Sequence, residues 1–213
     1  MTFIRSNVTA PTDLRRSFIH LALKRAHPGS GSTIAFLNQR TANMQIIDLR
    51  NILKEIKWVL VGGIATRAYM PERMTLEVDI LIHADDSDVV FNILQNQSFI
   101  FIQRLAIPGS SWKAPDGTII DILERSDNWV RDALEIPSAD PQGLPVLSLP
   151  YLVLMKLESS RTQDLADIAR MLGGASEEAI DAVHNVIAQY LPDAISDLEG
   201  LIQLGKLEYD RRG

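Results

Sequence analysis

The stretch that decides the fold runs Trp58-Val59-Leu60-Val61-Gly62-Gly63-Ile64-Ala65-Thr66-Arg67-Ala68-Tyr69-Met70-Pro71, followed shortly by Leu76-Glu77-Val78-Asp79-Ile80-Leu81-Ile82. Four apolar residues closed by a glycine pair read as a short buried strand. Ile64 to Met70 reads as a helix stopped by Pro71. The second piece alternates, with Leu76, Val78, Ile80 and Ile82 on one face and Glu77, Asp79 and Leu81 on the other. Glu77 and Asp79 therefore project side by side from an otherwise apolar strand. Two like charges so placed repel unless a cation sits between them. Mg²⁺ is the natural occupant, because it takes oxygen ligands and is commonly held by one or two carboxylates plus substrate phosphates. The plainer alternative is a solvated strand face, which the apolar company weakens. Gly62-Gly63 lets a phosphate approach the backbone at a helix start, or marks only a tight turn.

Upstream, Ile46, Ile47, Leu49, Ile52, Leu53 and Ile56 recur at helical spacing, predicting an amphipathic helix over 44–57. Downstream, 86–97 reads as a helix and 99–105 as a strand. Asp116-Gly117 marks a turn into a strand over 118–123, Thr118-Ile119-Ile120-Asp121-Ile122-Leu123. An acid inside such a run is costly to bury unless it is paired or metal-bound. If this strand lies beside 76–82, Asp121 joins the other two carboxylates. An edge-strand acid or a local hydrogen bond is the alternative. Val146-Leu147 suggests a brief strand.

From Pro150 onward the pattern is helical. Residues 150–172 form one broken helix or two, ended by Gly173-Gly174, and two more helices follow at 176–190 and 193–204. In the first of these, Lys156, Arg161, Asp164 and Asp167 are spaced so that charges share a face. They read either as a solvated set of ion pairs or as cations for a triphosphate with an acid to orient them. Strands first and helices last imply an α+β fold, a small mixed sheet flanked by helices with a helical C-terminal part. The parts expected are a flexible, basic N-terminal extension over 1–43, an α/β core over 44–148 and a helical part over 149–213. Within the extension, Arg5, Arg15, Arg16, Lys24 and Arg25 carry the charge. Pro28-Gly29-Ser30-Gly31-Ser32 marks a break, and a short helix over 13–26 is capped by Thr12.

The 213 residues carry a net charge of −6, with 46% hydrophobic and 23% charged residues, an ordinary globular balance. The acidic excess argues against bulk nonspecific grip on nucleic acid, which depends on many Lys and Arg near phosphates. No cysteine is present, so disulfides, thiolate zinc sites and cysteine nucleophiles are excluded. No apolar run reaches the roughly 18 residues needed to span a bilayer, and no secretory signal is evident. A cytoplasmic protein without membrane association is the expectation. His20, His27, His83 and His184 lack metal-binding spacing, His83 reads as a strand-end residue, and Trp58 and Trp112 read as packing groups.

Together these segments resemble the nucleotidyltransferase superfamily, the polymerase-β-like fold, and are most similar to the AbiEii-like and related minimal bacterial nucleotidyltransferases. That family's pattern is a strand ending in a glycine pair, a short helix, then Arg-x-Thr-x-acid-hydrophobic-Asp, here Arg73-Met74-Thr75-Leu76-Glu77-Val78-Asp79. A third acid on a later strand matches Asp121, and a late helical segment matches Lys156, Arg161, Asp164 and Asp167. The resemblance covers roughly residues 45–172. It implies a small mixed sheet of the nucleotidyltransferase type. The implied activity is Mg²⁺-dependent transfer of a nucleoside monophosphate from an NTP such as ATP, with Mn²⁺ as a substitute metal. Glu77, Asp79 and Asp121 are the implied catalytic metal ligands. Gly62, Gly63, Arg73, Thr75, Lys156, Arg161 and Asp164 are the implied nucleotide-binding residues. The acceptor is left open among RNA, protein and small molecule, and a toxin-like role with an antitoxin-like protein partner is among the settings implied. Glu77 departs from the family, which has Asp there. Its carboxylate sits one methylene further out, so a catalytically idle protein that binds nucleotide or a partner protein is the alternative.

Overall fold

The computed structural model describes residues 11–26, 47–70 and 77–209. The chain divides into two compact units, Ser32–Leu152 and a second built from Met1–Gly31 together with Val153–Gly213.

The first unit is a mixed seven-stranded sheet in the order β3-β4-β5-β2-β1-β7-β6. Its strands are β1 (Trp58–Val61), β2 (Glu77–His83), β3 (Ile100–Arg104), β4 (Gly109–Lys113), β5 (Ile119–Arg125), β6 (Ser138–Ala139) and β7 (Pro145–Val146). β1 runs antiparallel to β2, and β2 runs parallel to β5. β4 is antiparallel to both β5 and β3, while β7 is parallel to β1. Runs rich in Val, Ile and Leu occupy the centre because both faces there are covered. All four residues of β1 are buried, as are Val78, Ile80, Leu81 and Ile82 of β2. Four helices belong to this part of the chain: α2 (Gly62–Ala65), α3 (Ser87–Asn96), α4 (Asn128–Glu135) and the start of α5 (Leu149–Ser159). One sheet face is filled by aromatics. Phe91 of α3 packs on Trp112 of β4 at 4.8 Å between ring centroids and on Phe101 of β3 at 5.6 Å. Trp112 is fully buried and its indole N–H donates to Ser110 Oγ at 2.9 Å. Trp58 and Trp112 are thus packing residues, and His83 ends β2, its Nδ1 accepting from the Asp85 backbone N–H.

The elements differ from the sequence expectations at several points. The described part of the 44–57 helix is a single 3₁₀ turn, Leu49–Asn51, followed by further turns. Asp48 caps it by accepting from the Arg50 backbone N–H at 2.9 Å, and its carboxylate also grips the Arg50 guanidinium. One turn already buries Leu49 and Leu53, so the apolar spacing needs no longer helix. The helix expected over 64–70 is present but starts two residues earlier, as one α turn, Gly62–Ala65, followed by one 3₁₀ turn, Thr66–Ala68. β4 and α4 were absent from the sequence reading. β4 reads Gly-Ser-Ser-Trp-Lys, with too little apolar periodicity to announce a strand, and its neighbours on both sides supply the ladder. α4 did carry a signal, Asp127 at its start and Trp129, Val130, Ala133 and Leu134 on one buried face.

The second unit is helical: α1 (Pro11–Arg25), most of α5, α6 (Thr162–Gly173), α7 (Glu177–Tyr190) and α8 (Ile195–Tyr209). α6 and α8 meet backbone to backbone. A Cβ on Gly205 would stand 2.0 Å from the Ala169 carbonyl oxygen, so no other residue fits without separating the helices. The described part of the N-terminal segment, read above as a flexible extension, is an ordered helix packed on α8. Ile19 is buried, and Arg15 donates from Nε to Asp197 Oδ2 at 2.6 Å and from Nη1 to the Leu157 carbonyl at 3.1 Å. Two of the basic residues in that segment, Arg15 and Arg16, thus face Asp197. Among the described residues no helix is long and apolar enough to cross a membrane.

Candidate active site

The β2–β5 pairing brings the predicted acids together. The two strands run parallel with Asp79 directly opposite Asp121. Residues in register on neighbouring strands, roughly 4.8 Å apart, present their side chains to the same face. The row continues through Val61 at the end of β1 on one side and Ser111 of β4 on the other. The glycine pair that follows Val61 therefore stands at the same level as the acids.

Gly62 has φ +65°, a left-handed conformation that favours glycine. A Cβ there would lie 2.0 Å from Asp79 Oδ2 and 2.8 Å from Asp79 Cγ, so the Asp79 carboxylate is seated directly against the Gly62 backbone. Thr66 Oγ donates to the Gly63 carbonyl at 2.6 Å and fixes the turn behind the pair. Three residues on, Tyr69 Oη donates to the Leu147 carbonyl at 2.9 Å, tying this loop to the end of β7. Burial raises the Tyr69 phenol above its ordinary value against the opposing effect of hydrogen bonds with Ser138 and the Leu149 backbone, so it stays a neutral donor.

Asp121 is half-buried. Its Oδ1 is shielded from solvent and takes part in no hydrogen bond. A buried carboxylate oxygen left this way costs about 1–3 kcal/mol or more, so the position calls for an electropositive occupant. Two adjacent carboxylates with one orphaned oxygen form an all-oxygen donor set, which suits a hard divalent cation. Glu77 begins β2 with its backbone opposite Ile119. Its side chain, and Arg73 and Thr75 entirely, lie outside the described residues. Among the described residues no three metal-ligating side chains form a cluster.

Lys156, Arg161 and Asp164 stand in the helical unit within a network of their own. The Lys156 ammonium is buried and donates to Asp164 Oδ1 and Asp167 Oδ2, both at 2.8 Å. Ser159 Oγ also donates to Asp164, and Arg161 Nε meets Asp164 Oδ2 at 2.7 Å. Burial would raise the Asp164 carboxyl, but the charge and hydrogen bond of Lys156, with the hydrogen bonds of Ser159 and Arg161, outweigh it and hold the group below the ordinary carboxylate value. Lys156 is thus an internal cation balanced by two acids. Arg161 keeps 78% of its side chain exposed while holding Asp164. The ion pairs expected from the spacing form, but buried between two helices rather than on a solvated face; a polar periodicity looks the same at a surface and in a core.

No protein-family model matches the chain, and no curated protein does. Solved structures do. The lincosamide antibiotic adenylyltransferase LnuA, lincomycin-bound, is 14% identical over 62% of this chain and 87% of its own, with a TM-score of 0.36. The antibiotic-resistance factor ANT(2″)-Ia is 12% identical over 92% and 94%, with a TM-score of 0.39. Terminal uridylyl transferase 4 from Trypanosoma brucei, with bound GTP, is 11% identical over 93% and 70%, with a TM-score of 0.30.

Proposed function

We propose that the α+β unit is a divalent-metal-dependent nucleotidyltransferase that moves a nucleoside monophosphate from an NTP to an acceptor hydroxyl or phosphate. The observation that carries this reading is the direct opposition of Asp79 and Asp121, with the first seated on Gly62 and the second left with an orphaned oxygen. The residue pattern Gly62-Gly63, Glu77-x-Asp79 and Asp121 supports it, since the same order carries the family resemblance.

Asp79 and Asp121, joined by Glu77, would hold Mg²⁺ or Mn²⁺. When bound, such an ion lends charge stabilisation to the attacking and leaving oxygens of an in-line phosphoryl displacement. The chain's own residues do the rest. Gly62, lacking a side chain, makes room for the Asp79 carboxylate at the glycine turn, and Arg73 and Thr75 precede the acid strand as phosphate contacts. Asp121, the acid further from the glycine turn, accepts the proton of the acceptor hydroxyl. The acceptor oxygen bonds to the α-phosphorus, the bond to the bridging oxygen breaks, and pyrophosphate leaves with that electron pair. Lys156 and Asp164 serve in this reading as an internal brace between α5 and α6, with Arg161 as the exposed cation of that network.

Incubation with each α-³²P-labelled NTP, Mg²⁺ or Mn²⁺ and pools of RNA, protein and aminoglycoside acceptors tests the reading. Label transfer that vanishes in Asp79→Asn and Asp121→Asn supports it. Transfer that persists in both would overturn it. Glu77, where the family that the sequence resembles has Asp, favours one second reading, an idle site that binds nucleotide without turnover. That reading expects a silent wild type and activity gained by Glu77→Asp.

A further inference from the structure

On the side of Asp121 away from Asp79 stands β4, and the residue in register there is Ser111. Its hydroxyl-bearing side chain is only 5% exposed although β4 lies next to the edge strand. The type of pairing brings it close. Ala114 N–H donates to the Thr118 carbonyl at 2.8 Å, and Glu124 N–H to the Pro108 carbonyl at 3.1 Å, in the same register. Hydrogen-bonded and non-bonded pairs alternate along an antiparallel ladder, so Ser111 and Asp121 form a non-bonded pair. In such pairs the Cα atoms are only about 4.5 Å apart and the side chains are closest. A small hydroxyl residue thus stands in register beside the residue whose carboxylate Oδ1 lacks a hydrogen bond.

We propose that Ser111 is the positioning residue of Asp121, an inference that rests on the nucleotidyltransferase reading above. A change of χ1 between staggered wells turns the Ser111 hydroxyl toward Oδ1. Once it donates there, the carboxylate plane is fixed, and because a carboxylate offers about four lone-pair sites the remaining ones stay available to a cation and to the acceptor proton. Gln103 of β3, opposite Ser111 on the other side, is exposed and longer, and flanks the pair without separating it. Asp79, the remaining charged group in the row, sits beyond Asp121 on β2. Trp112 and Ser110 cannot substitute, since adjacent residues of β4 face the opposite side of the sheet.

The test is Mn²⁺ binding by the intact chain, followed through the spectrum of free Mn²⁺, alongside steady-state transfer kinetics. Ser111→Ala and the nearly isosteric Ser111→Cys should weaken Mn²⁺ binding about tenfold, the loss usual for an outer partner of a metal ligand. Both should lower kcat similarly while leaving KM for the NTP unchanged. Ser111→Thr, which keeps the hydroxyl, should stay within about twofold of wild type. Thermal unfolding of the metal-free proteins should be nearly the same for Cys and Thr. Equal Mn²⁺ binding by wild type and Ser111→Cys overturns the role of Ser111 alone. Equal loss in Cys and Thr overturns it too, since packing would then be the cause. A wild type that binds no Mn²⁺ overturns the metal-site reading and this inference with it.

Discussion

At the scale of single residues, Gly62 and Asp121 make opposite demands on stability. Gly62→Ala must place a methyl group where Asp79 Oδ2 now lies and must hold φ +65° with a side chain. The left-handed conformation alone costs roughly 1–2 kcal/mol, and displacing Asp79 adds to it. Urea denaturation should show a loss of about 2 kcal/mol or more, together with loss of Mn²⁺ binding. A variant as stable as wild type would mean that Asp79 is not held against the glycine. Asp121→Asn should act in the reverse sense on the metal-free protein. Replacing a half-buried carboxylate that lacks a hydrogen bond at Oδ1 by a neutral amide removes a desolvation cost. A gain of about 0.5–2 kcal/mol is expected, with transfer activity abolished, the usual exchange of stability for function at a site. Both acids were legible in the sequence because each interrupts an apolar strand. That they stand opposite one another was not, because parallel pairing of two strands separated by a helix and a hairpin is a long-range fact. Ser111 could not be singled out for the same reason: its meaning lies in its neighbour across the ladder.

Among the elements, the junction of α5 and α6 is held by charge rather than by apolar contact alone. Lys156, Asp164 and Asp167 are each at most 4% exposed. Lys156→Met keeps the bulk but removes the cation from between two buried carboxylates. Arg161 and Ser159 still meet Asp164, so the cost should lie near the lower end of the about 3–5 kcal/mol for breaking a buried pair from one side. The pH dependence gives an independent check. In the wild type the Asp164 carboxyl is held below its unfolded value of about 3.9, so its contribution is fully present above that pH and is lost as pH falls through the lower folded value. In Lys156→Met the Asp164 carboxyl loses its chief cation while burial and the hydrogen bonds of Ser159 and Arg161 persist, so its folded value should move upward toward the unfolded one. The variant should then lose less stability than the wild type as pH falls from about 6 to about 3. Urea midpoints across that range measure it, and parallel curves for the two proteins would argue that Lys156 contributes no buried charge pairing. Helix existence here was evident from periodicity, as were the ends at Gly173-Gly174. In contrast, the helix predicted over 44–57 failed because Asp48 offers the backbone a tight turn that buries the same leucines.

For the whole molecule, the order of strands followed by helices was readable, whereas the membership of the N-terminal segment in the helical unit was not. Its arginines suggested a solvated arm. One of them is instead only 6% exposed and paired with Asp197, some 180 residues later in the chain, a separation no local pattern reports. The consequence is specific. Among the described residues, Arg15→Ala leaves Asp197, itself 4% exposed at the side chain, facing only Arg16 at 3.7 Å. The remaining arginine offsets part of the loss, so a cost near the lower end of about 3–5 kcal/mol is expected. The loss should also be local, since Arg15 joins α1 to α8 and to the end of α5. Stability in a folded chain is distributed in cooperative segments, and amide exchange reports each of them separately. Exchange followed by mass spectrometry should show α1 and α8 losing protection in Arg15→Ala, while peptides spanning β1 and β2 keep theirs. Uniform loss across helices and sheet would mean that the N-terminal helix braces the entire chain, and unchanged exchange in α8 would mean that the Arg15–Asp197 pair holds nothing together.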